Sequence, residues 1–216
     1  MSGLQRLFSE AVVAVEIREQ ELDESRLWPD EREALGEVVD GRRWDWVMGR
    51  LCARSALERL GVEPIAVLSG EHGEPLWPEG IVGSITHSLG YAAVAVSQSS
   101  QVLSIGIDAE PDEPLPNRVL QRVALDSEQE WVVAGRSTGT VQHMDRLLFS
   151  VKESIYKAWY PVAGRWLGFN DVRVEVDVVT NTFEAEMLVE GPLRFVRGRF
   201  AAHDGIIKTA VEAPLP

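Results

Sequence analysis

The sequence predicts an α+β protein made of two halves of similar plan, with a functional site in the cleft between them. Three observations carry that expectation. Helix and strand signals follow one another in blocks, and each half holds one long helix followed by an antiparallel hairpin. Aligning Gly90 with Gly205 sets Tyr91-Ala92-Ala93-Val94-Ala95-Val96 over Ile206-Ile207-Lys208-Thr209-Ala210-Val211, with Ala202 falling where His87 stands. A length of 216 residues suits one large domain or two small ones, and the halves divide as 1–103 and 104–216.

The elements follow in order. Ala11–Ile17 reads as a strand. Asp30–Val39 and Trp44–Leu60 read as helices, the second ended by Gly61 and Pro64. Glycines and prolines at 70, 73, 75 and 78 make the next stretch mostly loop. Val82–Thr86 and Ala92–Ser97 read as strands flanking His87-Ser88-Leu89-Gly90, and Val102–Glu110 as a third. Asn117 and Asp126 are placed to cap short helices, and Gly135–Thr140 reads as loop. Asp145–Tyr160 is a helix expected to stop before Pro161. Asp171–Val179, Phe183–Val189, Leu193–Ala201 and Ile206–Val211 read as strands, the last pair joined by Asp204-Gly205.

Composition narrows the function. The formal net charge is −13, which argues against general nucleic-acid binding while leaving room for a local basic site for an anion. No run of about 18 apolar residues is present to span a membrane. The apolar run Ala11–Val15 is too short, and too soon followed by Glu16, Glu19 and Glu21, for a secretion signal, so a cytoplasmic protein is expected. The single cysteine, Cys52, permits no internal disulfide and reads as a small buried residue.

Five patterns bear on chemistry. On the Val102–Glu110 strand, Leu103, Ile105, Ile107 and Ala109 alternate with Ser104, Gly106, Asp108 and Glu110. Asp108 and Glu110 lie about 6.5 Å apart along the strand. They can share a hard cation such as magnesium, and Gly106 leaves room beside them for a ligand. On the Asp145 helix, Leu147, Val151, Ile155 and Ala158 form a core stripe, while Glu153 and Lys157 face the same way. Phe149, Tyr156 and Tyr160 would shield that face from water. His87 stands among hydroxyls at a strand end, suited to an anion or a proton. Arg42, Arg43, Arg50 and Arg54 cluster on one helix, and arginine forks suit phosphate oxygens. Gly73-Glu74-Pro75 makes a tight turn with Trp77 close by. Each pattern alone is equally at home in plain structure: a solvated strand end, a surface ion pair, a turn histidine bonded to backbone, a solvated arginine face and an ordinary loop.

Their order resembles the 4′-phosphopantetheinyl transferases of the surfactin-synthetase and enterobactin type. The marks are the Gly-x-Pro turn at 73–75, Ser84-x-x-His87-Ser88, Gly106-Ile107-Asp108-x-Glu110 and Phe149-Ser150-x-Lys152-Glu153-Ser154-x-x-Lys157-Ala158. Trp166-Leu167-Gly168-Phe169 makes the chain most similar to the actinobacterial members. The resemblance implies a pseudo-two-fold monomer that cleaves coenzyme A. It would move the phosphopantetheine arm to a serine of an acyl or peptidyl carrier protein, with 3′,5′-adenosine bisphosphate left over. It implies magnesium, or manganese in its place, on Asp108, Glu110 and Glu153, with Glu153 also the base. It puts Lys157 on the phosphates, Lys152 beside the pyrophosphate, His87 on phosphate near the adenosine end, and Arg42 and Arg50 on the 3′-phosphate. His72, Pro75 and Thr86 complete the coenzyme A contacts. Many relatives carry a lysine in the turn before the proline; this chain has Glu71-His72-Gly73-Glu74-Pro75.

The carrier is expected to dock near Arg118 and Arg122, read as four apart on one helical face capped by Asn117 with Val119, Leu120 and Val123 beside them. The basic helix leaves two other readings: a metal-dependent phosphohydrolase that shares the acidic cluster and attacks with water, and a non-catalytic coenzyme A-binding or assembly protein, which would tolerate loss of Glu153.

Overall fold

A computed structural model describes residues 3–18, 21–36, 39, 42–135 and 141–216. The loop expected at Gly135–Thr140 lies, beyond Gly135, outside the described residues. Two antiparallel sheets and two long helices make up most of the α+β fold. The first sheet joins β1 (Val13–Arg18), β3 (Tyr91–Gln98) and β2 (Ile81–Ser88) in the order β1-β3-β2. The second joins β4 (Ser104–Pro111) through β8 (Ile206–Ala213), β7 (Phe195–His203) and β6 (Thr182–Met187) to β5 (Val172–Asp177). Short helices α1 (Pro29–Leu35), α3 (Leu120–Val123) and α4 (Asp126–Ala134) flank the long α2 (Arg43–Leu60) and α5 (Met144–Ala163). No helix among the described residues is long and apolar enough to cross a membrane.

Strand alternation sorts the core. On β3, Ala92, Val94 and Val96 pack under α2 with Met48, Cys52 and Leu57, while Tyr91, Ala93 and Ala95 face Ile105, Ile107 and Ala109 of β4. Cys52 is buried as expected, its thiol pushed up to about 12 by burial. The hairpins β2–β3 and β7–β8 have matching turns: Leu89-Gly90 and Asp204-Gly205 all take positive φ, the type I′ geometry. Their registers also match, His87 opposite Ala92 and Ala202 opposite Ile207, as the sequence alignment set them. The sheets themselves differ, with three strands against five.

The sheets meet edge to edge at β2 and β4. The Ile107 and Ala109 N–H groups on this edge of β4 donate to Ser84 Oγ at 3.1 Å and Thr86 Oγ1 at 3.0 Å. Side-chain hydroxyls thus stand in for the missing ladder bonds and satisfy a buried strand edge. The far face of β4 is covered too. A Cβ at Gly106 would come within 1.9 Å of the Ser154 carbonyl and 2.7 Å of the Ala158 N, both on α5. Gly106 therefore makes room for a helix and not, as the strand pattern suggested, for a ligand.

Two helix expectations also change. α5 continues through Pro161 and ends at Gly164, whose N–H bonds Tyr160 O at 2.9 Å in a left-handed turn. A proline so near the end removes one backbone bond where few remain to lose. The helix after Pro116 begins at Leu120 and not at Asn117, and Arg118 has φ of 71°. Arg118 and Arg122 are exposed but share no helical face; Val123 is buried, and Val119 and Leu120 pack on the core.

Gly106→Ala should push α5 off β4. Overpacking of this kind costs about 1–3 kcal/mol, so the midpoint of chemical unfolding should fall clearly. A wild-type midpoint would mean that the helix does not rest on that glycine.

Candidate active site

A cleft of about 630 Å³ opens along the β2–β4 seam. One wall comes from the first sheet side: Arg42 at the cap of α2, Arg50 of α2, the turn His72–Pro75, Trp77 and β2. The other comes from β4 and α5: Asp108, Glu110, Glu153, Tyr156, Lys157 and Tyr160. The sequence-predicted residues Arg42, Arg50, His72, Pro75, Thr86, His87, Asp108, Glu110, Glu153 and Lys157 all line it. Strand alternation placed Asp108 and Glu110, and the i,i+4 spacing Glu153 and Lys157, on faces that line the cleft; the seam brings them to the residues of the first sheet side.

Asp108 is the centre. It is 5% exposed. Its Oδ1 accepts from Lys157 Nζ at 2.8 Å and from the Thr86 hydroxyl at 3.4 Å. Its Oδ2 is buried and finds no hydrogen-bond partner among the described residues. A buried carboxylate oxygen left bare is costly unless a ligand completes it. Glu110 and Glu153 stand close enough to feel that charge. Burial first and Asp108 second hold both carboxyls above the usual carboxylate range, outweighing Arg146 and Lys157 at Glu110 and Lys157 at Glu153. Among the described residues no three carboxylate, thiol or imidazole groups form a ready-made metal cage. The donors nonetheless suit a hard divalent cation: oxygen ligands, a bare buried oxygen, and two carboxyls that a cation would relieve.

Glu110 has a partner that sequence reading missed. Arg146 Nη1 donates to Glu110 Oε2 at 2.8 Å, while its other nitrogens reach Glu113 O and Pro114 O at 3.0 Å. A helical wheel holds the signal, because Arg146 precedes Glu153 by two turns. Asp145 and Asp112 fasten the same segment, accepting from Leu115 N and from His143 N.

The basic wall is thinner than the sequence suggested. Arg43 pairs with Glu24 at 2.8 Å and Arg54 with Glu31 at 3.0 Å, so two of the four arginines are structural. Arg50 is nearly buried, donating to Val67 O and Ser69 Oγ and lying 3.4 Å over the Trp46 ring. Burial lowers its pKa to about 10, still a cation at neutral pH. Arg42, at the start of α2, is exposed. His87 Nδ1 lies 3.2 Å from Asp45 Oδ2, and burial leads the lowering of its pKa against the pull of Asp45. The ring lines the cleft.

Two expected contacts need revision. Thr86 lines the cleft, but its hydroxyl is engaged by Ala109 N and Asp108, so it holds the strand and its carboxylate. Lys152 does not line the cleft at all. Its ammonium is turned into the core, donating to Glu128 Oε2 at 2.6 Å, Val123 O and Phe169 O at 2.9 Å and Val172 O at 3.1 Å. Neighbours on a helix point about 100° apart, so when Glu153 faces the cleft Lys152 faces away. Tyr156 and Tyr160, expected to shield this face of α5, join His72 and Trp166 in an aromatic row. His72 and Tyr160 meet at 5.8 Å, Tyr160 and Tyr156 at 5.8 Å, and Tyr156 and the exposed Trp166 at 4.6 Å.

Comparison with known proteins agrees along the chain. Residues 30–97 match the 4′-phosphopantetheinyl transferase N-terminal domain and residues 104–201 the 4′-phosphopantetheinyl transferase superfamily. The chain is 43% identical to 4′-phosphopantetheinyl transferase Svp of Streptomyces mobaraensis, over 89% of this chain and 80% of that protein. It is 43% identical to Npt of Nocardia iowensis, over 85% and 87% of the two chains. With PptT of Mycobacterium tuberculosis the identity is 41%, over 85% and 84%.

Divalent cation binding is testable without turnover. Carboxyl-carbon NMR titrations should show Glu110 and Glu153 ionising above the usual range in the free protein and at lower pH once magnesium is added. Asp108→Asn should abolish the magnesium response. An unchanged titration on adding magnesium would remove the cation from this site.

Proposed function

The chain belongs to the 4′-phosphopantetheinyl transferase superfamily, and from that premise we propose that it moves the phosphopantetheine arm of coenzyme A to a serine of an apo carrier protein. The observation that carries this is the polarity of the cleft, with Arg42 and Arg50 on one wall and the Asp108–Lys157 pair with Glu110 and Glu153 on the other. A long anion with phosphates at both ends of its nucleotide matches such a cleft. Arg50 and Arg42 would take the 3′-phosphate, and His72 and Pro75 border the nucleotide. The halves 1–103 and 104–216 would each supply one wall across a pseudo-two-fold relation.

Asp108, Glu110 and Glu153 would hold magnesium, or manganese, which when bound neutralises pyrophosphate oxygens. Glu110 would then divide its oxygens between that role and Arg146. Lys157, half turned to the cleft, would keep one face on Asp108 and offer its remaining N–H bonds to the phosphates. Glu153 would take the proton of the carrier serine, directly or through water. The serine oxygen bonds to the phosphorus nearer the pantetheine. The bond from that phosphorus to the bridging oxygen breaks, and 3′,5′-adenosine bisphosphate departs, its new charge facing Lys157. Positioning and charge neutralisation do most of the work in such transfers. The carrier would approach near the exposed Arg118 and Arg122, which offer two positive charges to an acidic partner in a chain of net charge −13.

Intact-mass analysis of an apo carrier protein incubated with the enzyme, coenzyme A and magnesium should show the gain of one phosphopantetheine. Asp108→Asn, or omission of magnesium, should remove it. Release of nucleotide with no gain on the carrier would establish hydrolysis, and binding with neither would establish a carrier of coenzyme A only.

His87 gives a pH signature. Its pKa is lowered, so near neutral pH the ring is uncharged and one of its nitrogens holds a lone pair. Protonation makes both ring nitrogens donors. Affinity for coenzyme A should therefore rise as pH falls through the His87 pKa, and His87→Gln should flatten that rise. The same slope in wild type and His87→Gln would take the imidazole off the phosphate.

A further inference from the structure

Two buried glutamates make the same set of bonds, one in each half. Glu31, in the first turn of α1, accepts from Trp28 N at 3.1 Å, Val67 N at 3.2 Å and Arg54 Nη2 at 3.0 Å. Glu128, in the first turn of α4, accepts from Leu125 N at 2.8 Å, Val174 N at 2.7 Å and Lys152 Nζ at 2.6 Å. Each glutamate closes the first turn of a short helix. Each satisfies an N–H of the segment that follows the long helix. Each receives a cation from that long helix, 23 residues on in the first half and 24 in the second. Both glutamates are 1% exposed, and neither Arg54 nor Lys152 reaches the cleft.

We infer that Lys152 is a positioning residue, the second-half counterpart of Arg54, which fixes α5 from behind and makes no contact with the phosphates. The inference rests on the substrate placement proposed above. A lysine ammonium has three N–H bonds, and four acceptors already surround this one within 3.1 Å. Swinging it toward the cleft would strand Glu128 as a buried, unpaired charge, a state proteins avoid. The hold on Lys152 also sets the rotation of α5. Glu153 lies one step of about 100° further round the helix, so a turned Lys152 would carry Glu153 off its line to the cleft. The carbonyls of Phe169 and Val172 tie the segment after Trp166 to the same ammonium.

The chain has three lysines, which makes the test direct. Reductive methylation of the intact protein, with and without coenzyme A, can be read residue by residue by mass spectrometry. Lys157, with its side chain 28% exposed, should be methylated readily and protected by coenzyme A. Lys152 should react about tenfold more slowly or less, as expected for a group reached only through local opening, and coenzyme A should not alter its relative rate. Protection of Lys152 in step with Lys157 would overturn the inference. Failure of coenzyme A to protect Lys157 would instead displace the substrate from the cleft, and slow methylation of Lys152 would still mark it as buried.

Variants supply the second measurement. Glu128→Gln and Lys152→Met should each lower kcat about tenfold while leaving the Kd for coenzyme A within about twofold, the pattern of a disturbed reacting group and not of a lost contact. Lys152→Arg, the residue used in the first half, should recover most of kcat. A loss of coenzyme A affinity confined to Lys152→Met and absent from Glu128→Gln would return Lys152 to the phosphates.

Discussion

The contact on which the site depends is the close approach of α5 to β4 over Gly106. No side chain stands between that strand and the helix backbone at this point. The Ser104 hydroxyl can therefore donate to Ala158 O at 2.7 Å, and Lys157 reaches Asp108 at 2.8 Å. With a larger residue at 106 the helix would ride higher, and a lysine one turn along could not span the gap. The strand's small residues are packing determinants first, and they set the chemistry only through the helix they admit.

The second constraint is the seam between the sheets. Two edge strands with open N–H groups are a liability in a buried setting. The Ser84 and Thr86 hydroxyls resolve it without merging the sheets into one. That leaves a cleft along the junction, with hydroxyls, the imidazole of His87 and the Asp108 carboxylate on its floor. A continuous sheet would have no such opening. On the opposite side of the junction, Glu16 of β1 accepts from Lys208 of β8 at 2.6 Å and from the Tyr91 hydroxyl at 2.8 Å. Burial raises the Glu16 pKa, but those two donors outweigh it and hold the carboxyl below its ordinary value. This ion pair ties the two sheets together away from the cleft.

Cations are scarce in this chain, and most have structural duties. All three lysines pair with carboxylates: Lys152 with Glu128, Lys157 with Asp108 and Lys208 with Glu16. Arg43 and Arg54 pair with Glu24 and Glu31, and Arg146 braces Glu110. Of the basic residues that look suited to phosphate in the sequence, Arg42, Arg50 and Lys157 face the cleft. The acidic balance places these few positive groups in a field that is otherwise repulsive to anions, so local geometry must do the selecting.

The sequence by itself determined the features that depend on local patterns: the helix and strand blocks, the inner face Ile105, Ile107 and Ala109, the shared direction of Glu153 and Lys157, the Asp204-Gly205 hairpin turn and, through the order of its motifs, the family to which the chain belongs. Those follow from the 2-residue and 3.6-residue repeats and from turn residues, which need no partner to read. Only the tertiary structure decided which side of a two-sided element faces the site. β4 is covered on both faces, so Gly106 serves α5; α5 is surrounded, so Lys152 turns inward to Glu128; and Thr86 meets the free edge of β4. The Glu31 and Glu128 hubs were illegible for the same reason. Each gathers donors from segments more than 20 residues apart, and a buried charge is intelligible only from the groups that the folded chain brings around it.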